Sequence, residues 1–396
     1  MRILVALPFI VSATHQQPKL DADVVVLCAT PAGIAAAVSA SRAFEGAGHP
    51  SSVLVLEPSS FIGGMASAGG IGLRDVGLPA TVGGIAREWA LLNGAAYGNA
   101  SELVWQPDNF IGEASFYSLL ARAHVPVVLN ASLSGARAQR QGATIASVAL
   151  VLNGTLPAVS SGQIYIDACY EGDMLELGLA SNASWTVGRE PVSAYGEPMA
   201  GVGSAIVDGG QNVGLPYGNM SAYDSDGRLW PFVAPFSATP TPPGTGDALV
   251  QAMQYRTCLT LDPALRVPFV EPAGYNASAW RVLGAWATQA YATPPTLAQL
   301  VGLGGGYGRN GNKLDPVAQY NTFGLDFVGG GFAADGTPYA RSLPNSAVRA
   351  EIIAAHRAYS EAWFWTLATH PSVPVSVSQA LLAGDVRASE GLQRAL

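Results

Sequence analysis

From Asp23 the chain reads Asp-Val-Val-Val-Leu-Cys-Ala-Thr-Pro-Ala-Gly and runs through an alanine-rich stretch to Arg42, and Val53-Leu-Val-Leu-Glu57 follows. Val24 to Leu27 is a continuous apolar run, the pattern of a parallel strand covered on both faces. Pro31 fixes one φ just beyond it. Gly33 leaves room for a helix to pack close to the strand, and Ala35, Ala36, Ala37 and Ala40 keep that helix slim. A second strand ending in Glu57 completes a βαβ unit. In such a unit the helix N-terminus favours a pyrophosphate, and an acid at the tip of the second strand accepts hydrogen bonds from an adenosine ribose. The glycine fingerprint is incomplete, because G-x-G-x-x-G requires glycine where Cys28 and Thr30 stand, and only Gly33 is present. Read alone, the stretch fits either an adenine-dinucleotide site or the βαβ unit of any doubly wound protein.

A chain of 396 residues has room for two domains with sizeable cores. Only 12% of its residues are charged and the net charge is −8, so no basic face for a phosphate backbone is expected and nucleic acid is excluded as a partner. The uncharged run from Val24 to Ser41 is broken by Pro31 and Gly33 and is explained by the βαβ unit, so no membrane span is expected. At the start, Arg2 precedes the apolar segment Ile3 to Ile10, and Val11-Ser-Ala13 has the small residues of a signal-peptidase site. Residues 1–13 therefore read as a signal peptide or as an ordinary N-terminal strand. Six of the thirteen asparagines, Asn99, Asn130, Asn153, Asn182, Asn219 and Asn276, begin N-glycosylation triplets, and this excess favours a secreted or lumenal protein carrying N-glycans. The three cysteines, Cys28, Cys169 and Cys258, allow at most one bridge within the chain.

Beyond Glu57, the stretch Pro58 to Gly72 is too rich in glycine for helix or regular strand and suits backbone lying against a ligand. Glu113 to His124 has helical spacing and leads into a strand at Val125 to Leu129. Ala136 to Leu152 reads as an antiparallel meander around Gly142, and a strand from Gln163 to Asp167 ends in Asp-Ala-Cys-Tyr-Glu-Gly-Asp173. Composition shifts to Gly, Pro, Ser and Asp from about Gly201 to Pro243, which places a domain boundary there. Ser346 is expected to cap a long helix with Val348, Ile352, His356, Tyr359 and Trp363 on one face.

Several separated motifs resemble the FAD-dependent oxidoreductases often labelled xanthan lyase-like, within the glutathione-reductase-like flavoprotein superfamily. Thr30-Pro-Ala-Gly33 resembles the dinucleotide turn of that family, Gly63-Gly-Met65 with Gly69, Gly70 and Asp75 its Gly-Gly-Met loop, and Gly83, Gly84 and Glu88 the segment after it. Asp167 to Asp173, Thr186 to Glu190, Tyr195 to Glu197, Arg256 to Thr260, Lys313 with Asp315, and Arg349 with His356 resemble later blocks, so that the likeness spans residues 22 to 375. The resemblance implies an α/β fold: a Rossmann-like FAD-binding three-layer β/β/α domain over residues 20–201, with a second α+β substrate or cap region over 202–396. It also implies a further strand and helix beyond Leu396. Where the family has two glycines the chain has Cys28 and Ala29, and Cys169 replaces a threonine. A side chain at 28 is expected to crowd the pyrophosphate. If the two strands are neighbours, Cys28 and Cys169 either bridge or remain buried thiols.

The resemblance implies FAD as cofactor, with Thr30, Pro31, Ala32 and Gly33 at the pyrophosphate, Glu57 at the ribose, Gly63, Gly64 and Met65 along the flavin, and Gly172 and Asp173 at the returning turn. Plain turn chemistry is the alternative for each. Arg256 is a candidate catalytic residue, suited to bind a carboxylate or polarise a carbonyl, or else forms a surface ion pair. His356 is a candidate proton shuttle or a core histidine. Asp326 and Tyr339 are weaker pocket candidates. No nucleophile elbow, paired-histidine or Cys-x-x-Cys motif occurs, so no metal is expected. The expected activity is hydride transfer from an unidentified small or saccharide-like molecule to flavin; the alternatives are a flavin-free binding or structural protein and a carbohydrate lyase.

Overall fold

The computed structural model describes residues 18–67, 78–134, 139–176 except 143, 186–202 except 187, 221–230 except 222, 242–247, 259–260, 266–296, 300, 313–314, 346–383 and 387–389. Strand β1 (Val24–Leu27) runs into helix α1 (Pro31–Gly46), and β2 (Val53–Leu56) returns parallel to β1 with Val24 opposite Val53. Helices α2 (Gly84–Ala96) and α3 (Asn109–Arg122) lead to β3 (Val127–Val128), parallel to β2. The expected strand at 125–129 is thus only two residues long. Strands β4 (Ala131–Leu133), β5 (Gln139–Gln141), β6 (Thr144–Leu152) and β7 (Leu156–Ser161) form the antiparallel meander. Strand β8 (Ile164–Asp167) then pairs parallel to the free edge of β1, giving the order β3-β2-β1-β8.

Alternation along the strands divides the apolar side chains between two layers, since successive residues point to opposite faces. Val24, Val26, Val53 and Val55 pack on Ile34, Ala37 and Val38 of α1, Trp89 of α2, and Phe116, Leu119 and Leu120 of α3. Val25, Leu27, Leu54 and Leu56 pack on Val148, Leu150 and Leu152 of the meander. The result is the three-layer β/β/α arrangement expected from the sequence. Helix α1 is slim against the sheet as its alanines require, and Ser41 donates from its buried hydroxyl to the Ala123 carbonyl at 2.6 Å, fixing α1 to the end of α3. Glu88 of α2 forms a two-pronged, exposed ion pair with Arg42 of α1, a contact worth at most about 1 kcal/mol.

After β8 come the short helices α4 (Asp173–Glu176) and α5 (Val192–Tyr195). The segment 188–202 pairs with 242–247 across the expected boundary near 201: Arg189 and Asp247 exchange backbone hydrogen bonds of 2.9 Å and form an ion pair. Strands β9 (Leu259–Thr260), β10 (Arg266–Val267), β11 (Lys313–Leu314) and β12 (Arg387–Ser389) make a small antiparallel sheet in the order β10-β12-β9-β11. Helices α6 (Ala277–Ala290), α7 (Ser346–Thr369) and α8 (Val375–Ala383) share a separate aromatic core that includes Trp280, Trp286, Trp363 and Phe364. The second region is α+β in content. The 1–13 segment lies outside the described residues.

Because Leu150 is fully buried between the meander and the parallel sheet, Leu150→Ala is expected to cost about 2–5 kcal/mol of unfolding free energy, measured as a lowered urea midpoint at unchanged slope.

Candidate cofactor site

The carboxyl ends of β1, β2 and β8 bring three separate segments together. In a doubly wound sheet ligands bind outside these ends, where the strand order reverses. Here the chain leaves β1 for β2 and β3 on one side, while β8 lies on the other, so the reversal falls between β1 and β8.

The first segment is the turn from Cys28 to Gly33. Thr30 is the N-cap of α1: its hydroxyl accepts from the Gly33 amide at 3.2 Å and donates to the Ala168 carbonyl at 2.9 Å. Pro31 follows as the first helical residue, and Ala32 sits exposed at the tip, with an amide too early in the helix for an intrahelical partner. Gly33 is required by close approach, since a Cβ there would lie 2.1 Å from the Cys28 carbonyl oxygen.

The second segment begins at Glu57, which is buried. Its Oε2 accepts from the Ala29 amide at 2.7 Å and its Oε1 from the Ser59 amide at 2.8 Å. An ionised carboxylate offers about four acceptor positions, so capacity remains on both oxygens. The Gly63 amide donates to the Ala29 carbonyl at 2.6 Å. Gly63 and Gly64 both have positive φ, and a Cβ at 64 would meet the Tyr170 hydroxyl at 2.3 Å. Met65 is largely exposed, and its amide donates to that same hydroxyl at 3.0 Å.

The third segment is the returning turn, residues 167–173. The two oxygens of Asp167 accept from the Cys169 amide of the turn at 3.1 Å and from the Met174 amide of α4 at 2.8 Å. Gly172 has φ 68°, as the turn requires, and Asp173 opens α4. Cys169 is disulfide-bonded to Cys28 with a Cα–Cα distance of 5.0 Å. The bridge therefore spans the point of strand-order reversal. Cys28 itself has φ 66°, in the left-handed region, which costs a residue with a Cβ about 1–2 kcal/mol.

A family model described as FAD dependent oxidoreductase matches residues 23–325. The chain belongs to this family. No curated protein matches it significantly. Among solved structures it is similar to the 3-ketosteroid-delta4-(5alpha)-dehydrogenase from Rhodococcus jostii RHA1, at 14% identity over 39% of this chain and 47% of that one, with a TM-score of 0.26. It is also similar to the myxobacterial chondrochloren halogenase CndH, a FAD-dependent halogenase, at 16% identity over 38% and 37% with a TM-score of 0.27. A third likeness is to L-proline dehydrogenase from P. horikoshii, at 13% identity over 39% and 24% with a TM-score of 0.23. The chain spans less than half the length of each of these proteins.

The cofactor of the family is FAD, and the donor set suits its adenosine and pyrophosphate half. The exposed Ala32 amide at the start of α1 would meet a phosphate, and the spare acceptor positions of Glu57 would meet the ribose hydroxyls. The Cys28 side chain, expected to crowd the pyrophosphate, is bonded to Cys169 of the returning turn.

All ten candidate cofactor residues, Thr30, Pro31, Ala32, Gly33, Glu57, Gly63, Gly64, Met65, Gly172 and Asp173, are described and lie in these three segments. The catalytic candidates are placed differently. Arg256 lies outside the described residues, as do Asp326 and Tyr339. His356 is buried on α7, among helices packed on α6 and α8 rather than in the three segments. Sequence reasoning missed Glu113, Tyr117 and Tyr170. Glu113 accepts a hydrogen bond from the Ile62 amide at 3.2 Å, and burial raises its carboxyl above the usual range despite that bond. Tyr117, one turn further along α3, is pushed up to about 12 by burial and then by the charges of Glu113 and Glu57. It therefore stays protonated at neutral pH. The i, i+4 spacing of Glu113 and Tyr117 was the available signal.

A carboxyl raised on folding stabilises the protein below its unfolded value of about 4.3, and this contribution is lost as pH rises through the folded value. Glu113→Gln keeps the acceptor for Ile62 without the charge. It is expected to melt above the native protein at about pH 7 and level with it at about pH 4, read by thermal denaturation at both pH values.

Proposed function

We propose that the protein is an oxidoreductase that binds FAD at the carboxyl edge of the β3-β2-β1-β8 sheet and takes a hydride from a small-molecule substrate. The observation that carries this reading is the convergence of the dinucleotide turn, the Gly-Gly-Met loop and the returning turn, each tied to the next by hydrogen bonds through Ala29, Thr30 and Tyr170. When bound, the flavin supplies the hydride acceptor. The start of α1 and the Ala32 amide bind the pyrophosphate, and Glu57 orients the ribose. Gly63 and Gly64 let backbone approach the remainder of the cofactor. Tyr117 of α3 keeps its proton at neutral pH. The likeness of the motifs to xanthan lyase-like members of the glutathione-reductase-like superfamily supports a saccharide-like substrate. Arg256, in a block that resembles the family, is the candidate for substrate binding, and His356, buried on α7 apart from the three segments, fits the core-histidine reading.

Purified protein is expected to take up FAD and show the absorption bands of a bound oxidised flavin; colourless protein that takes up none would refute the reading and leave a flavin-free binding protein. Glu57→Ala is expected to weaken FAD binding by about tenfold or more, the worth of one or two hydrogen bonds to a charged group, measured by flavin fluorescence titration.

The same reading includes an oxidising, secreted or lumenal setting. It is supported by the Cys28–Cys169 bridge, since such bonds persist in oxidising compartments, and by the exposure of three sequon asparagines, Asn99, Asn153 and Asn276. Expressed through a eukaryotic secretory pathway, the protein is expected to lose mass on treatment with an N-glycosidase, and Asn153→Gln to lose one glycan fewer. An unchanged mass would argue against this setting.

A further inference from the structure

The dinucleotide turn needs a residue in the left-handed region directly after β1, the place of the fingerprint's first glycine. Cys28 occupies it with φ 66°. Its conformation is not incidental to the site, because the Cys28 carbonyl oxygen lies so near Gly33 that no Cβ fits there, and the next residue, Ala29, sends its amide to Glu57 and receives the amide of Gly63. A cysteine free to relax would leave the left-handed region and carry these bonds with it. The partner that prevents relaxation is Cys169, whose own turn is fastened by Asp167 and by the Thr30 hydroxyl.

We propose that the Cys28–Cys169 bridge replaces the first glycine of the dinucleotide turn: it holds position 28 in the left-handed conformation and so preorganises the turn for FAD. Cys28 and Cys169 are positioning residues in this role, and the inference rests on the FAD reading above. Without the bridge the free protein populates a relaxed turn, and FAD binding must first restore the competent one, which weakens apparent affinity by the fraction lost. Cys169 is half-buried and Cys28 fully buried, so a small thiolate attacks the Cys169 sulfur. Cys28 then leaves as a thiolate, and a second thiol of the reagent closes on the mixed disulfide. Two electrons and two protons pass from a dithiol to the two cysteines, and the dithiol becomes a disulfide.

The test compares FAD dissociation constants, by flavin fluorescence, of the native protein, Cys169→Ser, and the double variant Cys28→Gly with Cys169→Ser. A thiol titration of denatured native protein, one thiol before reduction and three after, establishes that the bridge is present. Cys169→Ser leaves an unbridged residue with a Cβ at position 28 and is expected to bind FAD about tenfold more weakly, the factor that 1.4 kcal/mol represents. The double variant has no bridge, yet glycine adopts the turn without steric cost, and its affinity is expected to return to within about twofold of native. Both variants lose the same cross-link, so a bridge that only adds stability would lower both melting temperatures and leave both affinities alone. That result overturns the proposal, as does a double variant as weak as Cys169→Ser. Three thiols before reduction also overturn it. FAD bound by none of the three proteins overturns the cofactor reading itself. Should Cys169→Ser fail to fold, dithiol added to native holoprotein is expected to release FAD while the double variant retains it; equal retention overturns the proposal.

Discussion

Helix α1 begins against the strand that precedes it, and everything at the carboxyl edge of the sheet depends on that close approach. At 2.1 Å from the Cys28 carbonyl, a Cβ on residue 33 would force either the helix or the turn to move. Moving the turn would displace Ala29, whose amide satisfies one oxygen of the buried Glu57 and whose carbonyl receives Gly63. A buried carboxylate without its donors is costly, so the position of α1, the conformation of Glu57 and the path of the Gly-Gly-Met loop are set together. The tight N-terminal turn is at once a packing solution and the surface an anion would meet.

The layers beneath this edge explain why it can be held so firmly. Each strand of the parallel sheet sends alternate side chains into two cores, one with the helices and one with the meander. A shift of register by one residue would exchange the two sets, so the strand ends are fixed to within a residue. Strand β8 contributes less burial than β1 or β2, with only half-buried or exposed side chains. Its end is secured instead by polar and covalent ties, through Thr30, Asp167 and Cys169.

Much of this edge was legible in the sequence. The apolar runs of β1 and β2, the alanines of α1 and the order of meander and returning strand each carry a direct physical reading, and the structure has each of them. The edges were less legible where tertiary context overrides local pattern. The strand at 127–128 is short although Val125 to Leu129 is apolar: the Pro126 carbonyl accepts from the Val55 amide at 3.0 Å, but proline has no amide N–H to continue the ladder. Glu113 reads as an ordinary surface acid at the start of a helix, and only the fold brings it under the Ile62 amide. Tyr170 stood inside a recognised motif, yet its reach to Met65 depends on the spacing of two loops separated by 105 residues. Cysteine at position 28 gave no hint of left-handed backbone, since residue type predicts that conformation only for glycine and, less often, asparagine or aspartate.

The departure at position 28 and the proposed setting of the protein then bear on one another. A residue with a Cβ in the left-handed region persists only where its surroundings over-determine it, and the surroundings here include a covalent bond that thiol-rich compartments would cleave. Glycine at this position works in any compartment; a bridged cysteine works only where oxidant is available. The substitution is therefore compatible with the secreted or lumenal setting proposed above. On this reasoning an incomplete glycine fingerprint is not by itself evidence of a lost cofactor. It is a question about what else holds the turn, and in this chain the neighbouring strand supplies the answer.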